Sequence, residues 1–391
     1  MRQAVILSGS FGTRLSHVVS DVPKPMAPIG EAPLLDYIIK ALKLQGFDSF
    51  IFLTGYKSEF IESYFKNLEN ANFINEETAC GTGGAILNAY DYLADSFFVI
   101  NGDTFFDIDY SLLEEFGNNK PISIALRYTN NIERYGFAEI DTSFSVKTMI
   151  EKTNLPKDKI DGYINGGIYY VKKSVLQPYA ENFNGEFISI ETDIFPQMVK
   201  NNELYGLPLG GCFIDIGIPE DYYRAQELIP KWFQITSKPA LFIDKDGTII
   251  ENTEYPHGID FKIIEPTIGI AKAYFEKGYY VIMVTNQAGI AKNKFSINQM
   301  QEGFKGIKEY YRSKGVTFDD IEYCPYHKDG VIKEFAYDTI LRKPNPGMML
   351  KACEKFKIDL KHSEMLGDNP EIDNIRLPYL KCRILENQRS I

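Results

Sequence analysis

Aspartates standing directly after short apolar runs are the residues of this chain best placed to do chemistry. The run "LFIDKD", residues 241–246, ends with Asp244 and Asp246 and is followed at once by Gly247. In an extended strand, residues two apart project to the same side, so both acids could meet one substrate. Gly247 would then free the chain to turn away. Two carboxylates facing one phosphate divide naturally into nucleophile and general acid/base, since attack and leaving-group protonation need separate groups. Taken alone, the string is explained equally well by an Asp-Gly turn with a neighbouring acid. Further along, "VIMVTNQ" offers the hydroxyl of Thr285, "LRKPNPG" offers Lys343 beside Arg342, and "EMLGDNPEID" offers Asp368 with Asp373 nearby.

A second group lies near the N-terminus. "VILSGSFGTRL", residues 5–15, carries Gly9, Gly12, Thr13 and Arg14 after an apolar run. A glycine-containing loop there lets backbone N–H groups approach phosphate oxygens. Such turns are often only structural, and the dinucleotide fingerprint G-x-G-x-x-G is absent. "VPKPMAPIG" fixes Lys24 between two prolines, which suits a cation held against a phosphate. "FFVINGD" ends in Asp103, and "CFIDIG" carries Asp215. Carboxylates at strand ends are oxygen ligands for Mg²⁺, which takes one or two of them together with substrate phosphates. Each aspartate by itself is as readily a turn former; together with Arg14 and Lys24 they point to a phosphate-handling site.

These groups need a scaffold. The chain has 391 residues, room for two domains each with its own core. Its formal net charge of −11 argues against nucleic acid or an anionic membrane as a bulk partner. No apolar stretch reaches the length of a membrane span, and "MRQAVILSGS" has too short an apolar run for a secretory signal, so it is expected to be a first strand. The five cysteines are scattered without a CxxC pair, which suggests reduced thiols and a cytoplasmic protein.

Strand-like runs ("AVILSG", "SFIFLTGY", "SFFVINGD") alternate with helix-like ones ("PLLDYIIKALKLQGF", "EFIESYFKNL", "GTGGAILNAYDYL"), as in a parallel sheet covered on both faces. From about Pro121 closely spaced strands follow, predicting a mixed sheet, and "PEDYYRAQELI" predicts a closing helix. "IPKWFQITSKP", residues 229–239, has proline near both ends and no clear helical period, so it reads as a linker. The alternation then restarts. The expectation is an α/β chain with one domain at 1–230, a linker at 231–238 and a second domain at 239–391.

The ordered series "ILSGSFGTRL…PKPM…GTGGA…NGD…EK…NGGIY…IDIG" resembles the sugar-1-phosphate nucleotidylyltransferases, with a Rossmann-like mixed sheet. The resemblance implies that a sugar 1-phosphate oxygen attacks the α-phosphorus of a nucleoside triphosphate and releases pyrophosphate. By it, Arg14 and Lys24 stabilise phosphates and Asp103 and Asp215 hold Mg²⁺. Leu7, Gly9, Gly12, Thr13, Gly81, Thr82 and Gly83 contact the nucleotide, while Gly102, Glu151, Lys152, Asn165 and Gly166 face the sugar phosphate. Ser10 departs from the pattern, standing where a second glycine is usual.

The later series "FIDKDGTI", "TNQAGIAK", "CPYH", "RKPNPGMML" and "LGD" resembles the haloacid-dehalogenase superfamily, in its heptose-bisphosphate and histidinol-phosphate phosphatase branch. That implies Asp244 as nucleophile, Asp246 as general acid/base, and Thr285, Asn286, Arg342 and Lys343 around the phosphate. Mg²⁺ would be held by Asp244, Asp246 (through its carbonyl) and Asp368. The 37 positions from Thr248 to Thr285 leave no room for a large cap. In that branch a loop zinc is common, but Tyr326, Thr339 and Leu341 stand where its ligands would be, leaving Cys324 and the displaced His327. Two ligands cannot close a tetrahedral site, so no zinc is predicted; near-stoichiometric zinc on metal analysis would refute this. His17, His257 and His362 show no partner pattern, and His257 reads as a solvated loop histidine.

The first half most resembles the heptose 1-phosphate guanylyltransferases, which favours GTP, and the second the heptose bisphosphate phosphatases. Together they imply one metabolite handled twice: phosphate removal, then nucleotidyl transfer. A homo-oligomer is compatible with this. Two alternatives stay open: a hexose 1-phosphate transferase joined to another small-phosphomonoester phosphatase, or one half acting only as a binding module.

Overall fold

The computed structural model describes residues 1–9, 18–19, 21–132, 137–150, 159–252 and 261–385. It separates into two compact units. The first comprises Met1–Arg127, Ala138–Ile150 and Asn165–Ile235; the second comprises Tyr128–Phe137, Glu151–Ile164 and Thr236–Ile391. The second unit is therefore discontinuous in sequence.

The apolar runs of the first half become strands because both their faces are covered. Ala4, Val5 and Ile6 are fully buried, as are Phe50 to Leu53 within one per cent, which is what a sheet sandwiched between helices demands. Gln3–Leu7 pairs in parallel with Ser49–Thr54 on one side and Ser96–Asn101 on the other, and Ala71–Asn75 extends the parallel row. Gly162–Lys172 runs antiparallel to Ser96–Asn101, making the nine-stranded sheet mixed. The helix Leu34–Leu44 turns Leu34, Leu35, Ile38, Ile39, Ala41 and Leu42 inward, the 3.6-residue stripe of a packed helix. A separate two-stranded ribbon pairs Phe213–Asp215 with Thr104–Phe106, so that Asp215 lies opposite Thr104.

The second sheet is wholly parallel, with Asp320–Cys324, Tyr280–Asn286, Ala240–Ile243, Glu364–Gly367 and Lys381–Ile384 side by side. Alternation is visible residue by residue: Leu241 and Ile243 enter one core with Val281 and Met283, while Ala240 and Phe242 enter the other with Ile282 and Val284. Both units are thus α/β layers, and in each sheet the parallel strands end at one edge, where such folds bind ligands.

Residues 229–234, expected in the linker, are helical. The helix Pro219–Gln234 continues through Pro230, and the fully packed Trp232 donates its indole N–H to Asp107 at 2.6 Å. Tertiary packing outweighs the roughly 3 kcal/mol that an internal proline costs.

Candidate active sites

Leu7 and Gly102 meet at the end of adjacent parallel strands, where the Gly102 N–H donates to the Leu7 carbonyl at 2.9 Å. A Cβ on Gly102 would lie 2.8 Å from that oxygen, so only glycine lets the chain pass and place Asp103 beyond the strand. Asp215, at the end of its ribbon strand, arrives opposite. Lys24, in the short turn Lys24–Met26, bridges the two: its Nζ lies 2.6 Å from Asp103 and 3.4 Å from Asp215. The lysine is mostly buried and the carboxylates partly open, so the ammonium offsets their mutual repulsion. Gly9 packs its Cα face against Gly55, with a would-be Cβ 3.4 Å from the Gly55 nitrogen.

Gly81, Thr82 and Gly83 open the helix Gly81–Asn88, with Gly81 at φ +79°. The N–H groups of Gly83 and Gly84 both donate to the Ile188 carbonyl, at 2.8 and 3.0 Å, so Gly83 spends its donor inside the protein. The Thr82 hydroxyl donates to Glu191 at 2.8 Å. Glu191 also accepts from Tyr169 at 3.2 Å, and the Tyr169 oxygen accepts from the Asn165 amide at 2.9 Å. Burial, reinforced by Glu191, raises the Tyr169 phenol well above its usual range, and Asp103 adds to the effect. This chain of bonds joins Thr82 to Asn165; Glu191 lies outside the quoted motifs, and Tyr169, the last residue of "NGGIY", had no role read for it. Gly166 has a packing reason of its own: a Cβ there would meet the Phe106 ring at 2.7 Å and the Ala125 carbonyl at 2.8 Å. Gly12, Thr13, Arg14, Glu151 and Lys152, like Ser10, His17 and His257, lie outside the described residues.

In the second unit Asp244 follows Ala240–Ile243 and Asp368 follows Glu364–Gly367, the two strands being parallel neighbours. Thr285 and Asn286 end Tyr280–Asn286 on the other side. The strand stops at Ile243, so Asp246 sits in the turn after it rather than on a shared strand face. Gly247 makes that turn at φ +87°, and a Cβ on it would stand 2.2 Å from the Asp368 carboxylate. Asp246 pairs with Lys245 at 2.7 Å and accepts from the Gln287 amide at 3.1 Å; Gln287 also donates to Thr285 at 2.8 Å.

Lys343 is the hub. Its Nζ lies 2.6 Å from both Asp244 and Asp373, and its side chain is wholly buried. Asn286 holds its backbone, accepting from the Lys343 N–H at 3.0 Å and donating to its carbonyl at 3.1 Å. Burial pushes the Asp244 carboxyl up to about 7, Lys343 opposes the shift, and Asp373 and Asp246 add to it. Burial pulls the Lys343 ammonium down, but Asp244 and Asp373 reverse the balance and raise it. Asp368 is likewise raised, by burial and then by Asp373. Arg342 donates to the Tyr326 carbonyl at 3.5 Å.

Among the described residues, the carboxylates whose oxygens gather within 4.8 Å are Asp244, Asp368 and Asp373. The sequence reading brings Asp246 to the ion through its main-chain carbonyl; its carboxylate meets Lys245 and Gln287, and the third carboxylate of the cluster is Asp373, which that reading left without a role. All three donors are hard oxygens, two of them paired with Lys343, a set that fits a divalent cation such as Mg²⁺. Of the residues weighed for zinc, Cys324 is buried with its thiol pushed up to about 12 by desolvation. Thr339 donates its hydroxyl to Asp161, and His327 accepts from the Asp329 N–H at 3.1 Å. His362 pairs at the surface with Asp359 at 2.8 Å.

Residues 3–231, more than half of the 391-residue chain, match the family described as Nucleotidyl transferase. The chain belongs to the nucleotidyltransferase family. In this nucleotidyltransferase a second match covers residues 240–372, to the family described as Polynucleotide kinase 3 phosphatase. The transferase part is 38% identical over 227 residues to the D-glycero-alpha-D-manno-heptose 1-phosphate guanylyltransferase of Campylobacter jejuni, covering 57% of this chain and 97% of that protein. Its counterpart of the same name from Aneurinibacillus thermoaerophilus is 38% identical over 234 residues, covering 58% of this chain and 97% of that one. HddC from Yersinia pseudotuberculosis, solved in complex with GMP-PN, has a TM-score of 0.51 at 35% identity, covering 58% of this chain and 99% of HddC. The chain is an enzyme with a nucleotidyltransferase domain and a phosphatase-family domain. No helix among the described residues is long and apolar enough to cross a membrane.

Proposed function

We propose that the chain dephosphorylates D-glycero-D-manno-heptose 1,7-bisphosphate at position 7 and transfers GMP from GTP to the resulting heptose 1-phosphate, giving GDP-heptose and pyrophosphate. The observation that carries this is one chain holding two lysine-bridged carboxylate clusters, Lys24–Asp103–Asp215 and Lys343–Asp244–Asp373. The heptose and guanine assignments rest on the relatives of the first part. A nucleoside triphosphate substrate also favours the cytoplasm.

In the phosphatase unit Asp244 is the nucleophile. Lys343 holds one of its oxygens and counters the burial that would protonate it, leaving the second oxygen to attack phosphorus. Asp246 gives a proton to the departing sugar oxygen, then takes one from the water that hydrolyses the aspartyl phosphate. Thr285, Asn286, Arg342 and Lys343 form the phosphate side of the site. Asp244, the Asp246 carbonyl and Asp368 would hold Mg²⁺, with Asp373 adjoining, and the ion would supply charge neutralisation to the phosphoryl group.

In the transferase unit Lys24 and Arg14 neutralise the triphosphate, and Asp103 and Asp215 would hold Mg²⁺. Leu7, Gly9, Gly12, Thr13, Gly81, Thr82 and Gly83 seat the nucleotide, and Gly102, Glu151, Lys152, Asn165 and Gly166 the sugar phosphate. Their work is positioning for an in-line displacement.

The test is incubation of the full chain with heptose 1,7-bisphosphate, Mg²⁺ and each nucleoside triphosphate in turn. Phosphate release followed by a GTP-dependent sugar nucleotide is expected. Asp244→Asn should stop phosphate release alone, and Asp103→Ala, supplied with heptose 1-phosphate, should stop pyrophosphate release alone. Phosphate release with no nucleotide conjugate from any triphosphate would remove the transferase half of the proposal.

A further inference from the structure

Asp161 is a buried carboxylate that neither set of catalytic groups uses. It belongs to the second unit although it lies far from residues 236–391 in sequence. Only 4% of its surface is exposed, and a charge in that position is costly unless several donors meet it. Three do. Its Oδ2 accepts from the Thr339 hydroxyl and, at 3.2 Å, from the Tyr128 hydroxyl, while its Oδ1 accepts from the Ile340 N–H at 3.1 Å.

The same few residues carry the phosphatase lysine. Once Asp161 has fixed the Thr339 hydroxyl, that oxygen accepts from the Leu341 N–H at 3.1 Å, and the Thr339 carbonyl accepts from the Arg342 N–H at 3.3 Å. Ile340 also closes the loop from behind, its carbonyl accepting from the Gly347 N–H at 3.0 Å. Lys343 therefore leaves a segment tied at one end by Asp161 and at the other by Asn286. Its ammonium must reach two carboxylates at 2.6 Å from inside a fully buried stem, which leaves no slack for a shifted backbone.

We propose that Asp161 is a positioning residue for the phosphatase reaction: by gathering Thr339 and Ile340 it sets the backbone from which Lys343 reaches Asp244 and the substrate phosphate. The proposal rests on the phosphatase reading above. A displacement of about 1 Å in such a group costs on the order of 100-fold in rate, so an effect on turnover should exceed the effect on folding.

The experiment measures phosphate release from heptose 1,7-bisphosphate by the full chain with Mg²⁺, for wild type, Asp161→Asn, Thr339→Val, Thr339→Ser and the double variant Asp161→Asn/Thr339→Val. Asp161→Asn and Thr339→Val should each lower kcat/KM by about 10- to 100-fold. Part of the loss should fall in KM, which a smaller folded fraction would not move. Thr339→Ser, which keeps the hydroxyl, should stay close to wild type, and the double variant should lose no more than Asp161→Asn alone. Thr339→Val should keep wild-type pyrophosphate release. Wild-type kcat and KM in folded Asp161→Asn and Thr339→Val would overturn the proposal, as would losses that multiply in the double variant. Should Asp161→Asn fail to fold, the contrast between Thr339→Val and Thr339→Ser decides. A wild-type chain that releases no phosphate would instead bring down the phosphatase reading, and this proposal with it.

Discussion

Lys343 is enclosed between Asp244 and Asp373, and Asp373 also accepts from the N–H groups of Asp368 and Asn369 at 3.2 and 3.1 Å. Asp373→Ala therefore strips a buried ammonium of one partner and two backbone donors of their acceptor. It should cost about 3–5 kcal/mol, read by urea unfolding, whereas Asp368→Ala, half-buried and free of an ion pair with Lys343, should cost much less. A second test concerns the thiols. Burial pushes Cys80 and Cys324 up to about 12. A raised pKa keeps the unreactive thiol form, so at pH 8 native labelling should reach Cys382, the half-buried one, well before Cys80 or Cys324. Rapid native labelling of Cys80 or Cys324, mapped by peptide mass, would contradict this. Asp244, Lys343, Lys24, Asp103 and Asp215 stood out in the sequence because each sits in a short string with its own chemical logic, and the structure brings them together in two ion-paired clusters. Tyr169 and Gln287 stand inside legible strings but showed no role of their own, and Glu191 and Asp161 were silent because their partners Thr82 and Thr339 lie 109 and 178 positions away.

Two glycines separate conformational need from habit at the level of elements. Gly247 combines φ +87° with an Asp368 carboxylate 2.2 Å from any added Cβ. Gly247→Ala should abolish phosphate release while sparing pyrophosphate release, measured in parallel assays. Gly269, exposed inside the helix Glu265–Glu276, has nothing within 4 Å of a would-be Cβ. Gly269→Ala should raise stability by up to about 1 kcal/mol, seen as a higher thermal midpoint. Most elements were legible because a strand buried on both faces must be apolar throughout, as in "ALFI" and "VIMV". The helix Pro219–Gln234 was cut short in the sequence reading because Pro230 obscures its period. What holds it is Trp232 and its bond to Asp107, a tertiary contact no local pattern encodes. The same limit applied to Asp246, whose turn begins one residue after the strand ends.

Across the whole molecule, the second unit is assembled from three stretches of chain, two of them within the residues that match the Nucleotidyl transferase family. A fragment of residues 236–391 would lack Tyr128 and Asp161, leaving Thr339 and Ile340 without their acceptor. Its phosphate release should fall at least about tenfold below that of the full chain, and equal rates would show those stretches to be dispensable. Because the unit is interleaved in this way, no single scission of the polypeptide parts the two catalysts intact. A gene that split at that seam, or traded its later half with a relative, would pass on a phosphatase missing some of its own bracing.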